Sequence, residues 1–239
     1  IPLRLVGSEM CIRDSSIIAL SKSFREKSLL PSDVIAAQLN RIELLDPSLG
    51  SYQKVYRTNA LKAAKSADAA FAADQRIGPF HGVPFALKDI YDLAGHITTY
   101  GSREMRDRVS SRTGSIAKRL LDAGGILLGK TKTVECALGG WGTNQHMGTP
   151  RNPWDLDHER VPGGSSSGSG VAVASGMAMC ATGSDTGGSI RLPAAYCGLT
   201  GLKVSKTCLP TDGIMPLSNT LDTPLSLIHI SEPTRRRGI

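Results

Sequence analysis

Apolar residues recur at helical spacing in the first half of the chain. After the helix-starting residues Pro31-Ser32-Asp33, they lie three or four positions apart as far as Asp46-Pro47, where we expect the helix to end: Ile35, Leu39, Ile42 and Leu45. The Ala-rich stretch 58–76, with apolar residues along one side, predicts a second helix. Residues 115–123, which run into Gly124-Gly125, predict a third.

Short, unbroken apolar runs alternate with these helices. Residues 83–90 are typical of a buried strand, with one lysine, Lys88, near its end, and residues 126–129 predict another strand. A helix of small residues is expected after Gly170, followed by short apolar pieces as far as residues 202–204. This interleaving predicts an α/β domain with a largely parallel or mixed sheet.

The two ends of the chain are related in a way that bears on the domain limits. Residues 5–15 can be written in codons whose reverse complement, read one base out of frame, encodes residues 225–235 residue for residue. Such a pair resembles a sequencing adapter read in both senses; chance and an inverted repeat are the alternatives. We therefore predict that residues 1–15 and 225–239 are adapter-encoded and make few contacts, and that 16–224 form a domain incomplete at its C-terminal side.

The composition of the full chain is that of an ordinary globular protein. The chain is 40% hydrophobic and 21% charged, and no run approaches the roughly 18 apolar residues that a membrane-spanning helix needs. The ends hold five arginines and three acidic residues, so the formal net charge falls from +7 to +5 without them. The run Arg235-Arg236-Arg237 leaves with them, and aromatic residues make up only 5%, so neither nucleic acid nor membrane is expected as a partner.

Cysteines and histidines give no sign of a metal site. None of the following has metal-ligand spacing: Cys136, Cys180, Cys197, Cys208, His81, His96, His146 and His158. We therefore expect no metal. The low cysteine content suits a reducing, cytoplasmic compartment, although the true N-terminus is expected to be absent and a targeting signal stays open.

The most informative part of the chain is rich in Gly and Ser. Residues 161–170 read VPGGSSSGSG, and a second turn at residues 183–191 reads GSDTGGSIR. A flexible linker would not run directly into the small apolar residues 172–179. A phosphate-binding loop would end in Gly-Lys-Ser/Thr or fit G-x-G-x-x-G, and neither turn does so.

These two turns resemble the signature segment of the amidase signature family, G-G-S-S-G-G-S followed by G-x-D-T-G-G-S-I-R-x-P-A. The similarity covers residues 30–224 and includes residues 82–89, 129–131 and 151–154. It implies a mixed β-sheet core covered by helices on both faces. It also implies cofactor-independent hydrolysis of an amide C–N bond by a Ser, cis-Ser, Lys triad through an acyl-enzyme.

Carried over residue by residue, the resemblance makes Ser189 the nucleophile, Ser165 the bridging serine and Lys88 the base, with a cis peptide between Gly164 and Ser165. A lysine can accept a proton only when neutral, and its ordinary pKa is about 10.4. Lowering that pKa to about 7 to 8 disfavours the charge by about 4 kcal/mol, which burial at an apolar strand end can supply. The plainer interpretation of Lys88 is a solvated charge.

The same turn offers an oxyanion hole. The N–H groups of Thr186, Gly187 and Gly188 lie beside the nucleophile, although an ordinary turn would also explain the glycines. The resemblance further places Ala137 and Gly139 at the substrate. Asp185 and Arg191 flank the turn, and we interpret them as structural supports.

Three departures from the family pattern bear on the type of enzyme. Ser167 stands where the family usually has Gly, Lys88-Asp89-Ile90 differs from the Lys-Asp-Asn of amidotransferase A subunits, and residues 138–145 differ from their pocket segment. The last two favour a stand-alone amidase acting on a small-molecule amide, with a homodimer left open. The alternatives are the glutaminase component (the A subunit) of a tRNA-dependent amidotransferase, which needs partner subunits, and an inactive truncated fragment.

One other serine arrangement fits a known pattern. Ser115-Ile-Ala-Lys118 satisfies the S-x-x-K of penicillin-binding proteins, but no S-D-N or K-T-G accompanies it. We interpret Ser115 as a helix N-cap instead.

Overall fold

The computed structural model describes residues 16–75 and 78–228. In chain order its elements are α1 (Ile17–Arg25), α2 (Pro31–Leu49), β1 (Tyr52–Val55), α3 (Arg57–Ala72), β2 (Pro84–Lys88), α4 (Ser115–Asp122), β3 (Ile126–Thr131), α5 (Ser167–Ala174), β4 (Cys180–Asp185), α6 (Arg191–Cys197), β5 (Thr200–Gly201) and β6 (Thr223–Ile228). Two short 3₁₀ helices cover Arg103–Met105 and Glu135–Ala137.

The six strands of this part of the chain form one sheet in the order β1-β3-β2-β4-β6-β5. β2 lies parallel to both β3 and β4, whereas β1, β6 and β5 join antiparallel. The parallel strands lie in the centre, as the continuous apolar runs in β2 and β3 predict. The mixed α/β sheet is therefore confirmed.

Helices cover both faces of this sheet. On one face, α2, α3 and α5 pack against β2, β3 and β4 through Ile35, Leu39, Ile42, Ala60, Ala64, Val171 and Val173, which meet Ala86, Leu128 and Ala181. On the other face, Ala117, Ile116, Leu120 and Leu121 of α4 pack against Phe85, Leu87 and Leu127. Each fully buried Leu or Ile stabilises the fold by about 1.5–3 kcal/mol. Because side chains alternate along a strand, Lys88 points to the same face as Ala86, the face of α5.

The first predicted helix continues past its expected stop. α2 runs to Leu49 and contains Pro47 in its last turn. Proline crowds the carbonyl four residues before it and cannot donate to it. Here that carbonyl belongs to Glu43, which is exposed, so the helix can continue through Pro47. The helix ends instead at Gly50, whose φ of 62° is left-handed and whose N–H donates to the Asp46 carbonyl at 2.7 Å.

Two other predicted helix starts need correction. The small-residue helix begins at Ser167 rather than after Gly170, because burial on all sides outweighs the low helix propensity of its two glycines. In α4, Ser115 is the first helical residue and not the N-cap, which is Gly114. Asp212 caps this helix from far along the chain, accepting from Ser115 N at 3.1 Å and from Ser115 Oγ at 2.9 Å.

The C-terminal end of the described chain contradicts one expectation. Residues 225–228 belong to β6, which pairs with β4 over the six positions from Thr223↔Asp185 to Ile228↔Cys180. Leu227 is fully buried and packs against Ile190 and Ala194. The prediction that this end makes few contacts is therefore wrong for residues 225–228, while residues 1–15 and 229–239 lie outside the described residues.

Candidate active site

Lys88 stands at the carboxyl end of β2 with its side chain fully buried. Its Nζ lies 2.7 Å from Ser165 Oγ and 2.8 Å from Ser184 Oγ. Its main-chain N–H donates to Thr182 Oγ1 of the neighbouring strand at 2.9 Å. The contact between Lys88 and Ser165 has the geometry expected for the first link of the predicted relay, and the catalytic roles of the two residues stay a prediction.

The surroundings of Lys88 favour a neutral amine. Burial lowers the pKa of Lys88 from 10.5 to about 7, while the carboxylates of Asp185 and Asp222 act in the opposite direction. Both groups that contact Nζ are neutral hydroxyls, so no ion pair offsets the burial among the described residues. An amine in this setting can accept a proton near neutral pH.

Ser165 occupies the turn that leads into α5. The peptide bond between Gly164 and Ser165 is cis, as predicted. The carbonyl of Ser165 accepts from Thr133 Oγ1 at 3.0 Å and from Val134 N at 3.2 Å, which fixes the turn against the chain that follows β3. A Cβ on Gly164 would lie 2.6 Å from the Gly139 carbonyl oxygen, so only glycine fits here.

Ser189 lies in the turn that follows β4 and is partly exposed. Its carbonyl accepts from Ser166 N at 3.2 Å, which places it beside the residue that follows Ser165. Among the residues described, Ser189 Oγ makes no hydrogen bond, so the second link of the relay, from Ser165 to Ser189, is open in this conformation. Catalytic hydrogen bonds are often loose before substrate binds.

Asp185 organises the turn that carries Ser189. Its buried carboxylate accepts from Gly188 N at 2.9 Å and Ile190 N at 3.3 Å, and Arg191 donates to it through Nε and Nη2, each at 3.0 Å. Burial alone would raise the pKa of Asp185, but the hydrogen bonds from Arg191, Ile190 and Gly188 hold it below its ordinary value. The supporting role predicted for Asp185 and Arg191 fits these contacts.

The main-chain N–H groups of this turn that are free to bind an oxyanion are not the full predicted set. The Gly188 N–H is already directed at Asp185. No described residue accepts a hydrogen bond from the N–H groups of Thr186, Gly187 or Ser189. The oxyanion donors stay a prediction; in this conformation Thr186 and Gly187 offer free N–H groups, Gly188 does not, and the Ser189 N–H is a further candidate.

A cavity of about 280 Å³ opens beside this turn. Ser184 and Thr186 line it on the side of the turn, and Ala137, predicted at the substrate, lines it as well. Gly139 is not part of its lining and lies instead against the turn at Gly164. The far wall comes from the chain between residues 206 and 224.

Ser184 is a site residue that our sequence reasoning missed. In β4, Thr182 and Ser184 stand two residues apart and therefore on one face, where both contact Lys88. In the sequence, two polar residues spaced two apart in a buried strand are the feature that could have identified Ser184. The alternative S-x-x-K motif is not assembled, because Lys118 pairs with Asp122 and Ser115 donates to Asp212.

Comparison with known proteins gives this geometry a family. The Amidase family model matches residues 33–224. The chain belongs to the amidase signature family. A 2-amino-5-chloromuconic acid deaminase from Comamonas testosteroni is 43% identical over 179 residues, 75% of this chain and 39% of the relative. The A subunit of a glutamyl-tRNA(Gln) amidotransferase from Acidothermus cellulolyticus is 40% identical over 205 residues, 86% of this chain and 40% of the relative.

Solved members of the amidase signature family share the fold. The native peptide amidase of Stenotrophomonas maltophilia superposes with a TM-score of 0.84 at 34% identity, covering 90% of this chain and 45% of that one. A fatty acid amide hydrolase gives 0.86 at 26% identity, covering 94% and 40%. The chain spans about two fifths of the length of the curated relatives it matches.

The described residues offer neither a metal-binding cluster nor a membrane-spanning helix. No three His, Cys, Asp or Glu side chains lie together in a way that could hold a metal ion among residues 16–75 and 78–228. In the same ranges, no helix is both long and apolar enough to cross a membrane.

Proposed function

We propose that the protein hydrolyses a carboxylic amide through an acyl-enzyme formed on Ser189. The observation that carries this proposal is the buried contact between Lys88 Nζ and Ser165 Oγ at 2.7 Å, together with the lowered pKa of Lys88. A serine hydroxyl is a weak nucleophile until a base removes its proton. Lys88 is the base in this scheme, and Ser165 connects it to Ser189.

In the first half of the reaction, Ser189 Oγ attacks the amide carbonyl carbon. Its proton passes to Ser165, whose own proton passes to the neutral amine of Lys88. The N–H groups of Thr186, Gly187 and Ser189 stabilise the oxyanion that forms. The C–N bond then breaks, and the leaving nitrogen takes the proton back from Lys88 through Ser165.

In the second half, water attacks the acyl-enzyme. Its proton follows the same route to Lys88, the bond between the acyl carbon and Ser189 Oγ breaks, and Ser189 Oγ takes that proton back from Lys88 through Ser165. The products are a carboxylic acid and ammonia or an amine. No step requires a cofactor.

The test is substitution of each triad residue in the full-length gene product, with release of ammonia or amine measured. Ser189→Ala should lower kcat by about 10⁴-fold or more, and Lys88→Ala should be nearly as damaging. Ser165→Ala should be severe but leave some rate, since water can partly fill the space of the lost hydroxyl. Near-normal turnover with burst-phase acyl accumulation in Ser189→Ala would show that another residue is the nucleophile.

A second function is favoured by the relatives named as amidotransferase A subunits, which are about 40% identical to this chain. In that case the amide is glutamine, and ammonia passes to a partner protein. Adding the partner subunits decides between the two: glutaminase activity that depends on them identifies the amidotransferase component, and activity without them identifies a stand-alone amidase.

A further inference from the structure

The cavity beside the turn that carries Ser189 is lined by two charged residues, Lys206 and Asp222. The rest of its lining is apolar or neutral, including Leu209, Ile214 and Met215. Because charge is scarce in this lining, the state of these two groups decides what kind of ligand the cavity prefers.

The Asp222 carboxylate is fully engaged by the protein. One oxygen accepts from the hydroxyl of Thr186, and the other accepts from Leu217 N at 2.7 Å and Ser218 N at 2.9 Å. The contact with Thr186 joins the wall of the cavity to the turn that carries Ser189, and the other two contacts lie within the wall. Asp222 therefore has little capacity left to bind a cationic ligand.

Lys206 is in the opposite situation. Its Nζ donates to the Asn219 carbonyl at 2.7 Å, and no carboxylate of the described residues lies within ion-pair distance of it. Thr207 and Thr211 also line the cavity, and the hydroxyl of neither makes a hydrogen bond with any described residue. Apart from neutral polar side chains, Lys206 is thus the charged group of the lining that no carboxylate of the described residues pairs.

From this arrangement we propose that the cavity selects substrates that carry a carboxylate, with Lys206 as the residue that recognises it. This inference rests on the proposed amide hydrolysis. Ser184 and Thr186 line the same cavity, and Ser184 also contacts Lys88, whereas Ser189 is not part of the lining. The proposal therefore places the amide at the edge of the cavity beside Thr186 and the carboxylate at Lys206. At about 280 Å³ the cavity is at the small end of ligand sites, which run from roughly 300 to 1,000 Å³, so the substrate is a short one.

The experiment compares matched anionic and neutral amides in the full-length gene product. Succinamate and 4-methylpentanamide differ in a carboxylate against an isopropyl group on the acyl side. N-acetylglycine and N-isobutylacetamide differ in the same way on the amine side. In at least one pair we expect kcat/KM to be tenfold or more higher for the anionic member.

Lys206→Met should remove that preference by raising KM about tenfold for the anionic amide, with the neutral amide unchanged. Lys206→Arg should keep most of it. Lys62→Met, an exposed lysine of α3 outside the cavity, is the matched control and should leave both rates unchanged.

Failure of this inference is distinguishable from failure of the proposed function. Hydrolysis of the neutral amides with no preference that depends on Lys206 would overturn the carboxylate site and leave the amidase intact. Calorimetric binding of succinate provides a readout independent of turnover. Affinity lost in Lys206→Met supports the site even if no amide is hydrolysed, and equal or absent binding in both proteins overturns it.

Discussion

The titration of Lys88 provides a sharp test of the proposed mechanism. If the neutral amine is the base, kcat/KM should rise with pH and reach a plateau, with a midpoint at about 7, the lowered pKa of Lys88. The neutral fraction then increases about tenfold between pH 6 and pH 8 and levels off. With the ordinary lysine pKa of 10.5, the same interval would give a rise of about a hundredfold with no plateau.

A charge variant gives this titration an internal check. The Asp222 carboxylate raises the pKa of Lys88 against the effect of burial, so Asp222→Asn should move the midpoint to lower pH. The loss of the Thr186 contact should also reduce the plateau, but a reduced plateau does not move a midpoint. Glu104→Gln, an exposed carboxylate outside the site, should leave the midpoint where it is.

The assay is kcat/KM for one uncharged amide from pH 5.5 to 9.5, since this ratio reports groups of the free enzyme. An uncharged substrate keeps its own titration out of the profile. A midpoint near 10, or a flat profile, would refute the assignment of Lys88 as the base. An upward shift in Asp222→Asn would refute the electrostatic argument.

Two further predictions concern stability, one at Lys88 and one at the cap of α4, and both are measured by denaturant unfolding. The pKa of Lys88 is lowered in the folded state, so between about pH 7 and 10.5 the unfolded state binds one more proton than the folded state. Over this range the free energy of unfolding of wild type should rise by about 1.4 kcal/mol per pH unit relative to that of Lys88→Met. A difference that does not change with pH would contradict the buried neutral amine. Asp212→Ala removes the distant cap of α4 at Ser115 and should cost about 1 kcal/mol, whereas Asp107→Ala, an exposed carboxylate paired with Arg106, should cost little.

The sequence predicts the parts of the site that depend on local pattern. The apolar run around β2 identifies a buried strand, and the one lysine at its end is Lys88. Resemblance to a family identifies Ser165 and Ser189 because each lies in a distinctive Gly/Ser turn. Both kinds of signal are contained within a dozen neighbouring residues.

The missed parts depend on contacts between distant segments. Ser184 reaches Lys88 only because β2 and β4 are parallel neighbours with Phe85 opposite Cys180 and Ala86 opposite Ala181. The Gly188 N–H, predicted as an oxyanion donor, donates to Asp185 instead in this structure, an arrangement set by the fold of the turn. Register and turn geometry of this kind are not present in residue spacing.

β6 shows why a segment set aside on its codon pattern still enters the sheet. β4 is buried along its whole length, and its main-chain groups need partners on the side away from β2. The main chain of residues 223–228 supplies them, and its apolar Leu227 meets Ile190, which follows Ser189 in the chain. Main-chain pairing depends little on side-chain identity, so this segment can pair with β4 whatever its origin. That the segment is adapter-encoded stays a prediction. The candidate active site differs in this respect, because each of its contacts requires a particular amine, hydroxyl or carboxylate.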